Sequence, residues 1–283
     1  MILYQLPDTD IERFIEEDVP YGDLTTAVLE IGEQPGRITF TTRHETTLSC
    51  TEEAGRILER CGARVTLLTP SGTGVPSGTM FLSAEGSASS LHAAWKVALN
   101  ILEYASGIST RTAGIVTSAR SANPAISIAT TRKSFPGTKK AAIKAILAGG
   151  ATPHRLGLSE SILVFRQHTE FMGGLDRLLE RLPEIKKQAP EHKILVEADG
   201  PEEALRIAAA GADVVQVDKL SPERLVDLVH AIRNIAPDIK ISAAGGITPE
   251  NAGIYAATGI DIIVLSSVYF GKPADIAAAM QCI

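Results

Sequence analysis

The chain has 283 residues, with 27 Lys and Arg against 33 Asp and Glu, and a formal net charge of −6. Hydrophobic residues make up 45% and charged residues 21%, which is ordinary for globular proteins, and no apolar run approaches the ~18 residues of a membrane span. Three scattered cysteines without a CxxC motif exclude a disulfide framework and a cysteine metal site. Residues 1–10 lack a basic start followed by an apolar core, so we expect a cytoplasmic protein.

The first hundred residues predict an α+β domain. Their pattern predicts, in chain order, a helix at 10–17, a turn at 20–23, a strand at 37–42, a helix at 52–61, a loop at 70–77 and a helix at 91–106. We expect this domain to occupy residues 1–105.

From about residue 126, short apolar runs alternate with amphipathic stretches, as in a parallel sheet. Strands are predicted at 126–129, 162–165, 194–196, 214–217, 239–242 and 262–265, and helices at 175–188, 202–210, 223–235 and 251–258. A capping residue precedes proline at Gly200-Pro201, Ser221-Pro222 and Thr248-Pro249, which predicts helix starts. A barrel and a doubly wound sheet both fit, and polar residues after successive strands favour the barrel. We assign residues 106–270 to it and expect a C-terminal helix at 271–283 that packs on the N-terminal domain.

The charge is unevenly distributed. Residues 104–159 contain no Asp or Glu but eight cations, so the other 227 residues sum to −14. Such asymmetry indicates a region that faces a polyanion. Nucleic acid fits poorly, because the overall charge is negative, aromatic residues are only 5% and no recognition motif is present. A compact anionic metabolite is the better interpretation.

Polar side chains follow the predicted strands. Arg132 and Lys133 follow the strand at 126–129, where two cations can bind a phosphate or carboxylate, although a solvated turn is the commoner role of such a pair. Glu197 and Asp218 lie at the ends of the strands at 194–196 and 214–217, a usual arrangement for Mg²⁺ or sugar hydroxyls. Lys219 could instead form a Schiff base in an aldolase-like barrel.

Two further groups have weaker signals. Asp199 has the competing role of complementing a helix dipole, and His154-Arg155 taken alone is more often structural. The glycine pair Gly245-Gly246 allows backbone N–H groups to approach a phosphate at a helix N-terminus, although tight βα turns also need glycine.

A set of motifs in one consistent order over nearly the whole chain resembles the quinolinate phosphoribosyltransferase family. These are Asp18–Thr26, Leu99-Asn100, Ser106-Gly107-Ile108, Thr131–Gly137, Gly149-Gly150, His154–Leu158, Val196–Gly200, Val217-Asp218 and Gly245–Thr248. The resemblance implies an α/β fold, an open TIM-like barrel of type II phosphoribosyltransferases with an N-terminal α+β domain. It also implies a homodimer whose active site lies between one subunit's barrel and the partner's N-terminal domain.

The activity implied is displacement of pyrophosphate from phosphoribosyl pyrophosphate by the ring nitrogen of an anionic aromatic acceptor, with Mg²⁺ as cofactor. In the quinolinate enzymes a decarboxylation follows and gives nicotinate mononucleotide, a step of NAD biosynthesis. The resemblance assigns catalysis to Lys133, Glu197 and Asp218, of which Glu197 and Asp218 hold Mg²⁺ partly through the substrate. It assigns substrate binding to Lys96, Arg132, Lys139, His154, Arg155 and Phe165, and phosphate binding to Gly245, Gly246, Ser266 and Ser267.

Three departures from the family pattern stand out. Lys96 replaces an arginine that is contributed to the neighbouring subunit's site, and Ser266 replaces a glycine after the last strand. Phe165 replaces a lysine that faces the substrate carboxylate; Arg166 is one position late, which along a strand points to the opposite face. These changes resemble the ModD branch, which is associated with molybdate transport genes.

Two hypotheses follow. The first is a phosphoribosyltransferase with an altered acceptor pocket. The second is a non-catalytic oxyanion-binding accessory protein in molybdate handling, which uses the same cations. Glu197 and Asp218 argue against the second hypothesis, because two carboxylates would repel a simple oxyanion.

Overall fold

The computed structural model describes residues 4–283. The first three residues, which belong to the predicted domain 1–105 and to the segment inspected for a leader, lie outside this range. The helices are α1 (Asp8–Asp18), α2 (Leu24–Val28), α3 (Thr51–Arg60), α4 (Ala88–Ala122), α5 (Lys139–Ala148), α6 (Arg166–Met172), α7 (Leu175–Gln188), α8 (Pro201–Ala209), α9 (Pro222–Ile235) and α10 (Ala252–Ala256). The strands are β1 (Pro35–Thr42), β2 (Thr46–Thr47), β3 (Arg64–Leu68), β4 (Gly74–Val75), β5 (Met80–Ser87), β6 (Ser127–Thr130), β7 (Thr152–Pro153), β8 (Ile162–Val164), β9 (Ile194–Ala198), β10 (Val214–Asp218), β11 (Lys240–Ala244), β12 (Ile262–Leu265) and β13 (Ile276–Cys282).

The described residues form two compact units. The first comprises 4–113, 134–150 and 268–283, and the second comprises 114–133 and 151–267. The helix predicted at 91–106 continues to residue 122 as α4, so the domain boundary predicted near residue 105 lies inside a continuous helix. None of the helices within 4–283 combines the length and apolar character needed to cross a bilayer.

The first unit contains an antiparallel sheet in the order β13-β1-β5-β3. Strand β1 alternates buried and less buried positions, and it places Ile38 and Phe40 in the core, as period-two patterning requires. The predicted C-terminal helix is wrong, because Ile276–Cys282 pairs antiparallel with β1 along its whole length. The alanines of this segment favour a helix locally, but the hydrogen-bonding edge of β1 outweighs that preference.

The second unit contains a seven-stranded parallel sheet in the order β7-β6-β12-β11-β10-β9-β8. Its six longer strands agree with the predicted ones to within two residues. Within the described chain β7 and β8 are the sheet's edges, so the barrel is open. Parallel strands buried on both faces read as continuous apolar runs, which is why the sequence located them well.

Two of the three predicted helix starts are confirmed, since Pro201 and Pro222 occupy first helical positions. The third is wrong, because α10 begins at Ala252 rather than beside Pro249. The side chain of Asn251 accepts a hydrogen bond from the Thr248 N–H and donates one to the Gly246 carbonyl. These bonds close a turn of their own ahead of the helix.

One face of the sheet is layered, which positions the site. Leu163, Leu195 and Val214 lie in register on β8, β9 and β10 and form a buried apolar cluster. Two residues further along their strands, Glu197 and Gln216 pair in register on the same face. The face therefore changes from apolar to polar toward the carboxyl ends of the strands.

Candidate active site

A cavity of about 1010 Å³ lies in the second unit, where the strands end. Its size is at the upper end for small-molecule sites. The candidate residues on its wall are Arg132, Lys133, His154, Arg155, Phe165, Glu197, Asp218, Gly245, Gly246, Ser266 and Ser267. The structure thus brings together eleven of the thirteen residues to which the family resemblance assigns a role.

One side of the cavity carries positive charge without compensation. Arg132, Lys133 and Arg155 form no ion pair with any residue of the described chain. Burial, reinforced by the nearby charge of Arg132, lowers the pKa of Arg155. Burial and Arg155 likewise lower the pKa of His154, whose Nε2 is buried without a hydrogen-bond partner in the described part of the protein. Mutual repulsion of this kind is relieved by an anion.

The carboxylates of the cavity belong to other strands, β9 and β10, which β12 and β11 separate from β6 and β7. Glu197 is half-buried, and its Oε2 accepts a hydrogen bond of 2.6 Å from Nε2 of Gln216. Burial raises the pKa of Glu197 above its usual range, and the charges of Asp218 and Asp199 act in the same direction. The Gln216 amide and Lys133 oppose this rise. Glu197, with the charges of Asp218 and Asp199 nearby, therefore favours the approach of positive charge.

Gly245 and Gly246 form the turn after β11, both with positive φ, 85° and 70°. A Cβ on Gly245 would lie 2.6 Å from Cγ of Lys219, so the turn needs glycine for space as well as for conformation. Ser266 and Ser267 follow the neighbouring strand β12, and Ser267 Oγ donates to the Ile247 carbonyl. Backbone N–H groups and hydroxyls at one edge suit a phosphate.

Phe165 lines the cavity, where it packs against the apolar cluster below and stacks on His168 with ring centroids 5.9 Å apart. Arg166 does not line it and instead pairs with Glu170 and Asp199. Arg166 thus lies outside the cavity lining as predicted, but the predicted reason, that neighbouring residues of a strand face opposite ways, does not apply. Strand β8 ends at Val164, so Phe165 is the residue before α6 and Arg166 is its first residue, rather than two positions on a strand.

Lys96 and Lys139 belong to the first unit and are not among the residues that line this cavity. Both are exposed, and Nζ of Lys96 lies 5.1 Å from the ring centroid of Trp95. Other cations of the acid-free window also have local roles, since Lys140 pairs with Asp10 at 2.6 Å. Within this chain, the cations of the window are therefore divided between this cavity and carboxylates of the first unit.

Two glutamines that no motif in the sequence singles out, Gln167 and Gln216, also line the cavity. Gln216 is a polar residue inside the apolar run Val214–Val217, and only 4% of it is exposed. A polar residue inside a buried strand is a usable signal, because burial of an amide costs free energy unless it has a partner. Gln167 lies on α6, for which no pattern was recognised.

Within the described chain, no group of three or more His, Cys, Asp or Glu side chains is arranged to hold a metal ion. Mg²⁺ is commonly bound by one or two carboxylates together with substrate phosphates. Glu197 and Asp218 lie at the ends of adjacent strands, and the charge of Asp218 helps to raise the pKa of Glu197, so their chemistry fits such an ion.

Comparison with protein families identifies two matching domains. Residues 23–106 match the N-terminal domain, and residues 108–277 the C-terminal domain, of quinolinate phosphoribosyl transferase. The chain belongs to the quinolinate phosphoribosyl transferase family. It is accordingly an enzyme of the pentosyl-transferring class.

Curated relatives agree. The ModD protein of Rhodobacter capsulatus, which is named as a pyrophosphorylase, is 43% identical over 252 residues, which are 88% of this chain and 96% of that protein. The human nicotinate-nucleotide pyrophosphorylase [carboxylating] is 28% identical over 93% of this chain and 88% of its own length. The similarity predicted from the sequence motifs, including the ModD branch, is confirmed.

Solved structures confirm the predicted fold. The nicotinate-nucleotide pyrophosphorylase from Francisella tularensis superimposes with a TM-score of 0.88 at 24% identity, covering 98% of both chains. NadC from Streptococcus pyogenes gives 0.88 at 22% identity, covering 99% of both. The chain therefore has the open α/β barrel fold with an N-terminal α+β domain.

Proposed function

We propose that the cavity of the second unit transfers the phosphoribosyl group of phosphoribosyl pyrophosphate to the ring nitrogen of an anionic aromatic acid. The observation that carries this proposal is the separation of charge across one cavity. Arg132, Lys133 and Arg155, which form no ion pair within the described chain, follow β6 and β7. Glu197 and Asp218 belong to β9 and β10, and β12 and β11 lie between the two groups in the sheet. This distribution matches a reaction that develops positive charge on a sugar and negative charge on its leaving group.

In that reaction the ring nitrogen forms a bond to C1 of the ribose, while the bond from C1 to pyrophosphate breaks and its electron pair leaves with the pyrophosphate. Glu197 and Asp218 stabilise the oxocarbenium-like sugar, and the cations bind the leaving group and the acceptor carboxylate. Gly245, Gly246 and the two serines after β12 bind the remaining phosphate.

Mg²⁺ would be held by Glu197 and Asp218, with the substrate completing its coordination. When bound, the ion supplies positive charge that stabilises the departing pyrophosphate. The hydrogen bond from Gln216 fixes one oxygen of Glu197, which leaves the other oxygen for the substrate side.

Phe165 defines the acceptor pocket of this chain. An apolar ring lines the cavity there, and the neighbouring Arg166 is engaged with Glu170 and Asp199. We infer that the pocket accepts an aromatic acid with one carboxylate more readily than a dicarboxylate such as quinolinate. A missing charge-assisted contact typically costs about 1.5–3 kcal/mol.

The test is turnover of phosphoribosyl pyrophosphate with Mg²⁺ and a panel of aromatic mono- and dicarboxylic acids. The release of pyrophosphate is the quantity measured. We expect turnover with at least one acid, loss of turnover in Glu197→Gln, and a rise in kcat/KM for quinolinate in Phe165→Lys. Absence of any binding of phosphoribosyl pyrophosphate in calorimetry, with binding of molybdate instead, would replace the enzyme by the oxyanion-binding protein.

We also propose that the chain works as a homodimer in which Lys96 serves the partner's cavity. Lys96 is exposed and lies outside its own chain's cavity lining. Helix α2 exposes Leu24 and Val28, 77% and 70%, one turn apart, and an apolar face of this kind suits a subunit contact. Light scattering should give a dimer mass. Mixing inactive Lys96→Ala with inactive Glu197→Gln should restore activity, and failure to do so would contradict a shared site.

A further inference from the structure

Lys219 has an unusual backbone conformation for its residue type. Its φ is +54°, in the left-handed region where a side chain with a Cβ is disfavoured. Asn and Gly adopt this region at lower cost, so a lysine here is not the residue that the turn alone would select. Strained positions of this kind concentrate at functional sites.

Contacts of the backbone and of Cγ hold the start of the Lys219 side chain beside the glycine turn. Its N–H donates to the Ala244 carbonyl at 2.8 Å, which joins the end of β10 to the end of β11. Its Cγ lies against Gly245 so closely that no Cβ fits there. The stem of the lysine is thus packed on the glycine turn, and the side chain lines the cavity while remaining 78% exposed.

The order of the strands places cations and glycines relative to one another. Ser266 follows β12, the Gly245-Gly246 turn follows β11, and Lys219 follows β10, and these three strands are neighbours. The cations of the cavity that have no ion pair within the described chain follow β6 and β7, on the far side of β12. Lys219 is the cation adjacent to the glycine turn, and its only ion pair in the described chain is a 3.5 Å contact with exposed Asp218.

We propose that Lys219 binds the phosphate of the substrate's sugar phosphate, together with the backbone of Gly245 and Gly246. This inference rests on the proposed function and adds a cation to its phosphate subsite. The side chain exchanges its contact with Asp218 for the phosphate, which also leaves the Asp218 carboxylate available to the sugar. A charged donor beside backbone N–H groups is a common composition for a phosphate site.

The experiment is calorimetry of ribose 5-phosphate and of inorganic pyrophosphate, without added divalent cation, on the wild type and three variants. Lys219→Asn removes the charge but suits the positive φ, Lys219→Arg keeps the charge, and Lys187→Asn removes an exposed lysine from α7 as the matched control. We expect Lys219→Asn to weaken ribose 5-phosphate about tenfold or more and pyrophosphate less than about twofold. Lys219→Arg should retain most of the affinity, and Lys187→Asn all of it.

Thermal unfolding of the variants distinguishes a loss of binding from a loss of folding. Because Asn tolerates a positive φ, Lys219→Asn should unfold at or above the wild-type temperature; if it does not, Lys219→Gly serves in its place. Unchanged ribose 5-phosphate binding, or equal weakening of both ligands, would overturn the role of Lys219. So would a wild type that binds phosphoribosyl pyrophosphate but not ribose 5-phosphate. A wild type that binds none of the three compounds contradicts the proposed function itself.

Discussion

Lysines and arginines of the same acid-free stretch have opposite roles in the two units. In the first unit, Nζ of Lys144 lies 2.6 Å from Glu53 and 2.8 Å from Glu52, and the lysine side chain is 1% exposed. In the second unit, Arg132, Lys133 and Arg155 have no ion pair within the described chain and line a cavity. A buried cation with partners holds a fold together, whereas an uncompensated cation on a cavity wall is available to a ligand.

The largest effect should come from Lys144→Met. The substitution leaves Glu53, whose side chain is fully buried, without its cation, although its other oxygen keeps a hydrogen bond from the Leu6 N–H. Removal of one partner of a buried ion pair typically destabilises by about 3–5 kcal/mol. Thermal or urea unfolding should show this loss.

Lys187→Met on α7 is the matched control for a lysine without a buried partner. The double variant Lys144→Met/Glu53→Gln should recover part of the loss, because it removes the charge of the fully buried Glu53 together with that of Lys144. If the unfolding free energy of Lys144→Met lay within about 0.5 kcal/mol of the wild type, the cluster of Lys144, Glu52 and Glu53 would contribute no more stability than a surface ion pair.

Acid should act on the same cluster. Burial disfavours the charged form of Glu52, but hydrogen bonds from Lys144 and Ser71 outweigh it and lower its pKa from 4.5 to about 2. A depressed pKa in the folded state contributes stability above the pKa of the unfolded chain, and that stability is lost as the pH falls. At 1.36 kcal/mol per unit, the contribution is about 3 kcal/mol, most of it lost between about pH 5 and 2.

Unfolding free energies measured across this range should therefore fall more steeply for the wild type than for Glu52→Gln. The two curves should approach each other as the pH falls to about 2 and below, where Glu52 becomes protonated in the folded state as well as in the unfolded one. Parallel curves would assign the acid sensitivity to other carboxylates.

Arg155→Met should have the opposite signature to Lys144→Met. It removes one of several like charges whose repulsion adds to burial in lowering the pKa values of Arg155 and His154. Stability should stay constant or rise slightly, while the affinity for pyrophosphate falls by about 1.5–3 kcal/mol, roughly tenfold to more than a hundredfold. Calorimetry and thermal unfolding of the same preparation test both effects.

Arg155→Lys keeps the charge and should lose less affinity than Arg155→Met. A loss of stability in Arg155→Met comparable to that of Lys144→Met would show that this arginine is structural. The contrast between the two regions would then fail.

The extent of prediction differs between the units for physical reasons. The parallel strands were located to within two residues because buried apolar runs dominate their sequence. The partners of Lys140 and Lys144 could not be predicted, because Asp10, Glu52 and Glu53 lie about a hundred residues away in the chain. The C-terminal strand was mistaken for a helix because its alanines carry no information about the edge of β1 to which they pair.

The site was predicted from the order of the motifs rather than from charge. The charge count pointed to one anion site, yet it included cations that pair with carboxylates in the first unit. Eleven candidates do line the cavity, because residues that follow parallel strands meet at one edge of the sheet. Gln216 was missed because it supports Glu197 across two strands, a relation that depends on register.

Gln216→Met should have the smallest effect and separates support from binding. The amide donates to Glu197 at 2.6 Å, while its own Oε1 is buried with no partner in the described chain. Methionine has a similar length and removes both the bond and the unsatisfied oxygen. Loss of this hydrogen bond should cost about 1 kcal/mol of transition-state stabilisation, which lowers kcat/KM roughly fivefold. Because the buried oxygen without a partner is also removed, the stability of the variant should equal or exceed that of the wild type.

The pH profile of kcat/KM distinguishes this role from a structural one. The Gln216 amide lowers the pKa of Glu197 against burial, so its removal should raise that pKa and shift the acidic limb of the profile to higher pH. Ser242→Ala is the control on the same row, because its hydroxyl donates to the Val215 carbonyl and should leave the limb in place. A Gln216→Met enzyme with an unshifted limb would show that Glu197 keeps its position without this amide.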